Sequence, residues 1–396
     1  MKRSLKLLFS VVPLVTLFTA TLFAQTKYVI TNNDNPSANS ASIYSVGSAG
    51  ALTLVTTIAT GGYGLGGGYL GTVRVNVLRS KANNCAYVGD ALGKHNSRPG
   101  DVAAIDMSTL TLAGTFPGFP LDSGNLLGVG LAENPSGTFL FAAYTGSSTI
   151  TTYKQLAGCK LKRLGEIITV GGWKGPVDGM KVTPNGDFLI LSYGDSTIGS
   201  YKIDAATGAL TLINRYFVAD GQAAGGLDIT SDSKWALFGD ADANNIPVVE
   251  VAPIHSDGSL GLTKDYAGLG TGMNSNNVWL SPDESLVYIS NNSSGQITAA
   301  PFDRATGVIN IAKSCTSAVL KNFNSTWVYL GGVVSSGTAG TGSPLYAGEY
   351  GGKQASGIAI VDVKTPCTLT ETSASPALDS ASDYLLSVGV DPPRSF

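Results

Sequence analysis

Residues 182–195 read VTPNGDFLILSYGD. A strand end runs into a tight turn on Pro184-Asn185-Gly186, and a second strand, Phe188 to Tyr193, closes on small and polar residues. The pattern recurs as ENPSGTFLFAAYTG from Glu133, TSDSKWALFGDAD from Thr230 and SPDESLVYISNNS from Ser281. In each, a small residue stands eight positions after the turn residue: Ala143, Ser192, Gly239 and Ser290. Thr31, Gly89 and Gly348 fit the same column without the proline, which makes seven members about fifty residues apart.

Each unit yields four short strands by alternation and turn residues. In the fourth these are Gly179–Thr183, Phe188–Tyr193, Thr197–Asp204 and Leu210–Tyr216. No stretch has capped helical periodicity. Four antiparallel strands repeated seven times predict an all-β, seven-bladed β-propeller. The 396 residues would otherwise suggest two or three domains. A ring of repeats makes residues 25–396 one domain. The first unit lacks an inner strand, while the last residues, YLLSVGVDPPRSF, read as an inner strand with no blade after it. The C-terminal strand is therefore expected to complete the N-terminal blade, which removes two open sheet edges.

Lys2, Arg3 and Lys6 precede an apolar run from Leu7 to Ala20, and Ala24 offers a small residue at a cut site. This is the pattern of a signal peptide over residues 1–24, and it predicts a periplasmic or secreted protein with no membrane span after processing. Charged residues are only 13% of the chain and the net charge is −3, with Lys and Arg scattered, which argues against a nucleic-acid partner. The reading expects a monomer. Export puts Cys85, Cys159, Cys315 and Cys367 in a disulfide-permissive compartment. Four cysteines allow three pairings. Their places on adjacent blades favour Cys85–Cys159 and Cys315–Cys367. None has metal spacing.

YVITNN at Tyr28 and YISNNS at Tyr288 resemble the repeat of the YVTN propeller proteins. Residues 182–211 resemble a blade of the related lactonase-like propellers, among them the propeller type of 6-phosphogluconolactonase and the muconate-lactonising cycloisomerases. The resemblance implies the fold, and with it a lactone hydrolase or cycloisomerase as one reading of function. Lactonase-like blades often carry histidine near the top of an inner strand. The corresponding positions here are Asp178 and Gly179, Val129 and Gly130, and Asn276 and Asn277. The resemblance therefore places no catalytic residue on this chain.

Two functional readings follow from the residues. Loops that join one blade to the next gather on one face, the top, and carry Tyr63 and Trp173. After the small column comes a larger one, Asn32, Asp90, Tyr144, Tyr193, Asp240, Asn291 and Glu349, and Asp178, Asp228 and Asn276 lie along inner strands. The first reading is a non-catalytic module that binds a small oxygen-rich ligand or a partner protein through Trp173, Tyr63, Asp240, Asn276 and Asn291. Asp and Asn also end strands by bonding the following turn, whatever the function. The alternative is lactone opening, with His95 and Arg98 in the loop GKHNSRPGD and the carboxylates Asp90 and Asp178. No cofactor is expected. Asp240-Ala-Asp242-Ala-Asn244 opens like a calcium loop but lacks the glycine and glutamate of an EF-hand, which leaves only a calcium site of another kind. Gly62-Tyr-Gly-Leu-Gly-Gly67 has no βαβ context and reads as a connecting loop.

Overall fold

The computed structural model describes residues 28–66, 76–93, 100–118, 129–144, 147–169, 177–218, 225–241, 246–269, 275–291, 294–323, 330–335, 344–349, 355–364, 367–381, 384–385 and 387–391. Seven antiparallel sheets form the ring expected from the repeats. The fourth blade has its strands at Val177–Val182, Phe188–Tyr193, Thr197–Ile203 and Leu210–Phe217. Among the described residues the only helical turns are two short 3-10 segments, Ser48–Gly50 and Ile311–Lys313.

The ring closes through the termini. Ser387–Asp391 pairs antiparallel with Tyr28–Asn32, from Tyr28 opposite Asp391 to Asn32 opposite Ser387, and becomes the inner strand of blade 1. The core is not one body but seven seams, each an apolar cluster between neighbouring blades. Ile30 and Ile43 of blade 1 meet Val77 and Val88 of blade 2, and Val29 and Tyr44 face Tyr346 and Ile360 of blade 7. Side chains alternate along a strand, so one set of each blade faces the preceding blade and the other set the following one.

This alternation corrects one column read from the repeats. In blades 2, 3 and 4 the third strand bulges against the outer strand three residues beyond the partner of Gly89, Ala143 and Ser192. In blade 1 the bulge lies at Tyr44, and three residues before it stands Ala41, in register with Asn32. Asn32, not Thr31, therefore occupies the small column, and Asn33 the polar one. The amide of Asn32 reaches forward to the Gly89 carbonyl of blade 2, 2.9 Å away. The two consecutive asparagines made the shifted alignment look equally good in sequence.

The cysteines pair as Cys85–Cys159 and Cys315–Cys367, each joining adjacent blades across Cα separations of 5.6 and 5.7 Å. On the bottom face the turns after third strands are fastened by aspartates. Asp204 accepts from the Ala206 and Thr207 amides, and Asp303 and Asp257 accept from residues two positions on. The hydroxyls of Thr207, Ser259 and Thr306 donate to the same carboxylates, and these bonds, with the amides, hold the Asp204, Asp257 and Asp303 carboxyls below the usual range.

Candidate functional site

The expected site residues that the structure describes stand on blades 2, 4, 5 and 6 and on the connection between blades 1 and 2. His95, Arg98 and Trp173 lie outside the described residues, as do residues 1–24 and Asp242 and Asn244. Asn276 falls in the inner strand Ser275–Leu280 of blade 6. Asn291 and Asp240 are buried at the tops of their second strands. Asn291 donates to Thr298 at 2.8 Å, while its carbonyl oxygen has no partner. Asp178 is half-buried near the top of the blade 4 inner strand. Tyr63 is half-buried and bridges Leu92 of blade 2 through two backbone bonds, at 2.9 and 3.1 Å.

Asp90 is fully buried in the seam between blades 1 and 2. Its Oδ1 accepts from the Asn39 amide at 2.7 Å and from the Thr60 hydroxyl at 2.8 Å, both from blade 1. Its Oδ2 has no partner. Gly62 lies directly over it: a Cβ there would fall 2.5 Å from Oδ2. Burial pushes the Asp90 carboxyl up to about 8. The Asn39 and Thr60 donors oppose this, and the charges of Asp101 and Asp34 add to it. A carboxyl sealed beneath a glycine is a poor base for an external substrate, and its position explains why this blade connection needs a residue without a side chain.

A second group was not singled out in sequence. Two residues before each small-column position, the inner-strand partners form one level around the central channel: Gly389, Leu78, Ala132, Lys181, Asp228, Trp279 and Val334 in blades 1 to 7. Polar and aromatic character is confined to three consecutive blades. Lys181 donates to Asp228 of the next blade. Asp228 also accepts from its neighbour's amide, Ile229, and from the Leu280 amide of blade 6, each at 2.8 Å. The Lys181 ammonium stands 5.1 Å from the centre of the Trp279 ring. This arrangement bridges blades 4, 5 and 6 by an ion pair, a charge-assisted backbone bond and a cation–π contact. Asp228 is fully buried, while the Lys181 side chain keeps 20% of its exposure and Trp279 is half-buried. A ligand in the channel would meet an aromatic face beside an ammonium donor. The sequence signal was a Lys, an Asp and a Trp on consecutive inner strands at a level that is otherwise Gly, Leu, Ala and Val.

Among the described residues no cluster of three His, Cys, Asp or Glu side chains could hold a metal ion. No helix among them is long and apolar enough to cross a membrane.

Sheet topology and seams thus define a seven-bladed β-propeller. The sequence model of the family described as "Lactonase, 7-bladed beta-propeller" matches residues 130–275, from the inner strand of blade 3 to the start of blade 6. No curated protein matches the chain. Among solved structures, a protein described as a 6-phosphogluconolactonase from Bacteroides fragilis superposes with a TM-score of 0.67 at 16% identity, covering 93% of this chain and 99% of its own. A counterpart from Bacteroides uniformis gives 0.58 at 14% identity over 74% of this chain and 83% of its own. The periplasmic gluconolactonase of Pseudomonas aeruginosa gives 0.57 at 16% identity over 72% and 81%. At these identities the likeness is one of fold.

Proposed function

We propose that this chain is an exported, lactonase-like propeller that binds a small oxygen-rich ligand in its central channel, entered from the top face, and does no chemistry on it. The observation that carries the reading is the Lys181–Asp228–Trp279 level. It concentrates a cation, a carboxylate and an aromatic ring on three adjacent inner strands of a channel whose other blades are small or aliphatic there. Such a mixture of one stacking face and a few placed polar groups suits sugar-like molecules. Export is supported by the two inter-blade disulfides and by the leader-like first 24 residues.

The alternative is a lactone hydrolase, favoured by the family match across residues 130–275. It needs an acid, a base and an oxyanion donor converging on one pocket, with His95 and Arg98 as the candidates. Hydrolysis of a gluconolactone panel by the wild type and His95→Ala, above the spontaneous rate, separates the two. Turnover of even ~1 per second that collapses in the mutant overturns the binding reading. No turnover, with sugars quenching tryptophan fluorescence in the wild type but not in Lys181→Met, supports it.

A further inference from the structure

The seams are not all sealed alike. In blade 1 the small-column residue Asn32 donates to the Gly89 carbonyl of blade 2, and in blade 4 the hydroxyl of Ser192 donates to the Gly225 carbonyl of blade 5. Ser290 holds the same position in blade 6 and lies on the side facing blade 7, because Tyr288, two residues before it, packs into the seam between those blades. Yet the Ser290 hydroxyl is buried without a partner. Trp279 faces the same way. Its neighbour Val278 packs toward blade 5, and the indole itself lies against the clusters that blade 7 shares with blades 6 and 1. The indole N–H is likewise buried with no acceptor. Trp279 pairs with Tyr288, and Asn277 with Ser290, so Trp279 and Ser290 are diagonal neighbours on one face of the sheet.

We propose that this seam is a binding pocket for an uncharged oxygen of a polyhydroxylated ligand, held by the Trp279 N–H and the Ser290 O–H. The inference rests on the channel-binding reading and names the groups that would read the ligand. Two buried donors without partners, diagonal to each other on one sheet face, are uncommon in native proteins, and one hydroxyl or carbonyl oxygen can accept from both. An anion fits less well. Lys181, whose ammonium stands over the ring, is already matched by Asp228, so a buried negative charge would lack that counter-charge.

The test follows the indole N–H resonances of 15N-labelled full-length protein, with Trp279 assigned through Trp279→Phe. The probes are D-glucose, D-xylose, sorbitol and D-gluconate. A neutral probe should shift the Trp279 resonance saturably, and gluconate should bind more weakly. Ser290→Ala should weaken binding roughly five-fold, the loss of one ordinary hydrogen bond. It should leave the melting temperature unchanged, since the hydroxyl bonds nothing in the protein. Ser192→Ala should do the reverse. If no probe moves the Trp279 resonance, the pocket holds water only and the proposal fails. It fails too if Ser290→Ala melts as early as Ser192→Ala, or if gluconate binds best. Sugar binding that quenches fluorescence and needs Lys181, but ignores both Trp279 N–H and Ser290, would refute this pocket and leave the channel reading standing.

Discussion

Asp90 and Asp228 are both carboxylates with no solvent exposure, and the fold treats them in opposite ways. Asp228 receives an ammonium and two backbone N–H groups, spread over both oxygens. Asp90 receives two neutral side-chain donors on a single oxygen, while the other oxygen faces a glycine and finds no donor. The first is held between three blades by an ammonium and two amides. The second is built to be neutral, because a lone buried charge beside Asp34 and Asp101 is costly. Burial alone therefore does not say what a carboxyl does. The count and charge of the donors decide it.

The sharpest way to break this contrast is to delete each acid. Asp228→Ala leaves the Lys181 ammonium and two backbone amides without their acceptor, and should destabilise the protein by ~3–5 kcal/mol in urea unfolding. A loss below ~1 kcal/mol would mean that the ion pair adds little beyond a surface pair.

Asp90 should reveal itself through pH. Its folded pKa is raised, so its contribution is full below the unfolded value near 4 and is lost as pH rises toward about 8. Wild-type stability should fall across that window by at most about 1.4 kcal/mol per pH unit from this group. Asp90→Asn, which keeps an acceptor for Asn39 and Thr60, should flatten the window and be the more stable protein at its upper end. Parallel wild-type and mutant curves would contradict the assignment.

Two smaller effects sharpen the geometry. Gly62→Ala forces a methyl against the Asp90 carboxyl and should cost ~1–3 kcal/mol. Ser192→Ala removes one seam bond to Gly225 and should cost ~1 kcal/mol. Both are read from denaturant midpoints at constant slope.

Much of this molecule was legible from its turns. Pro135, Pro184 and Pro282 mark where inner strands end, and the strands of blade 4 lie within two residues of where alternation put them. Placing Cys85 and Cys159 on neighbouring blades was enough to pair them. Blade 1 was misread by one residue because Asn32 and Asn33 are chemically identical, and only the bulge at Tyr44 and the bond to Gly89 distinguish them. Asp90 was legible as a strand-top carboxylate but not as a sealed one, since its partners Asn39 and Thr60 come from another blade, 51 and 30 residues away in sequence. The Lys181–Asp228–Trp279 level escaped for the same reason. Lys181 and Asp228 are 47 residues apart, and Asp228 and Leu280 a further 52. Only shared height on three strands unites them.

The pairing of Tyr28–Asn32 with Ser387–Asp391 also sets an order of events. A chain emerging from its N-terminus displays the second, third and outer strands of blade 1 long before the strand that completes them exists. Until residue 387 arrives, the backbone edge of Tyr28–Asn32 stays open to any extended segment, including that of another nascent copy. Most strand pairings in the molecule are local hairpins, and this one spans nearly the whole chain. Its entropic cost is the largest, and it places ring closure late in folding. Closing the ring thus joins its first strand in sequence to its last.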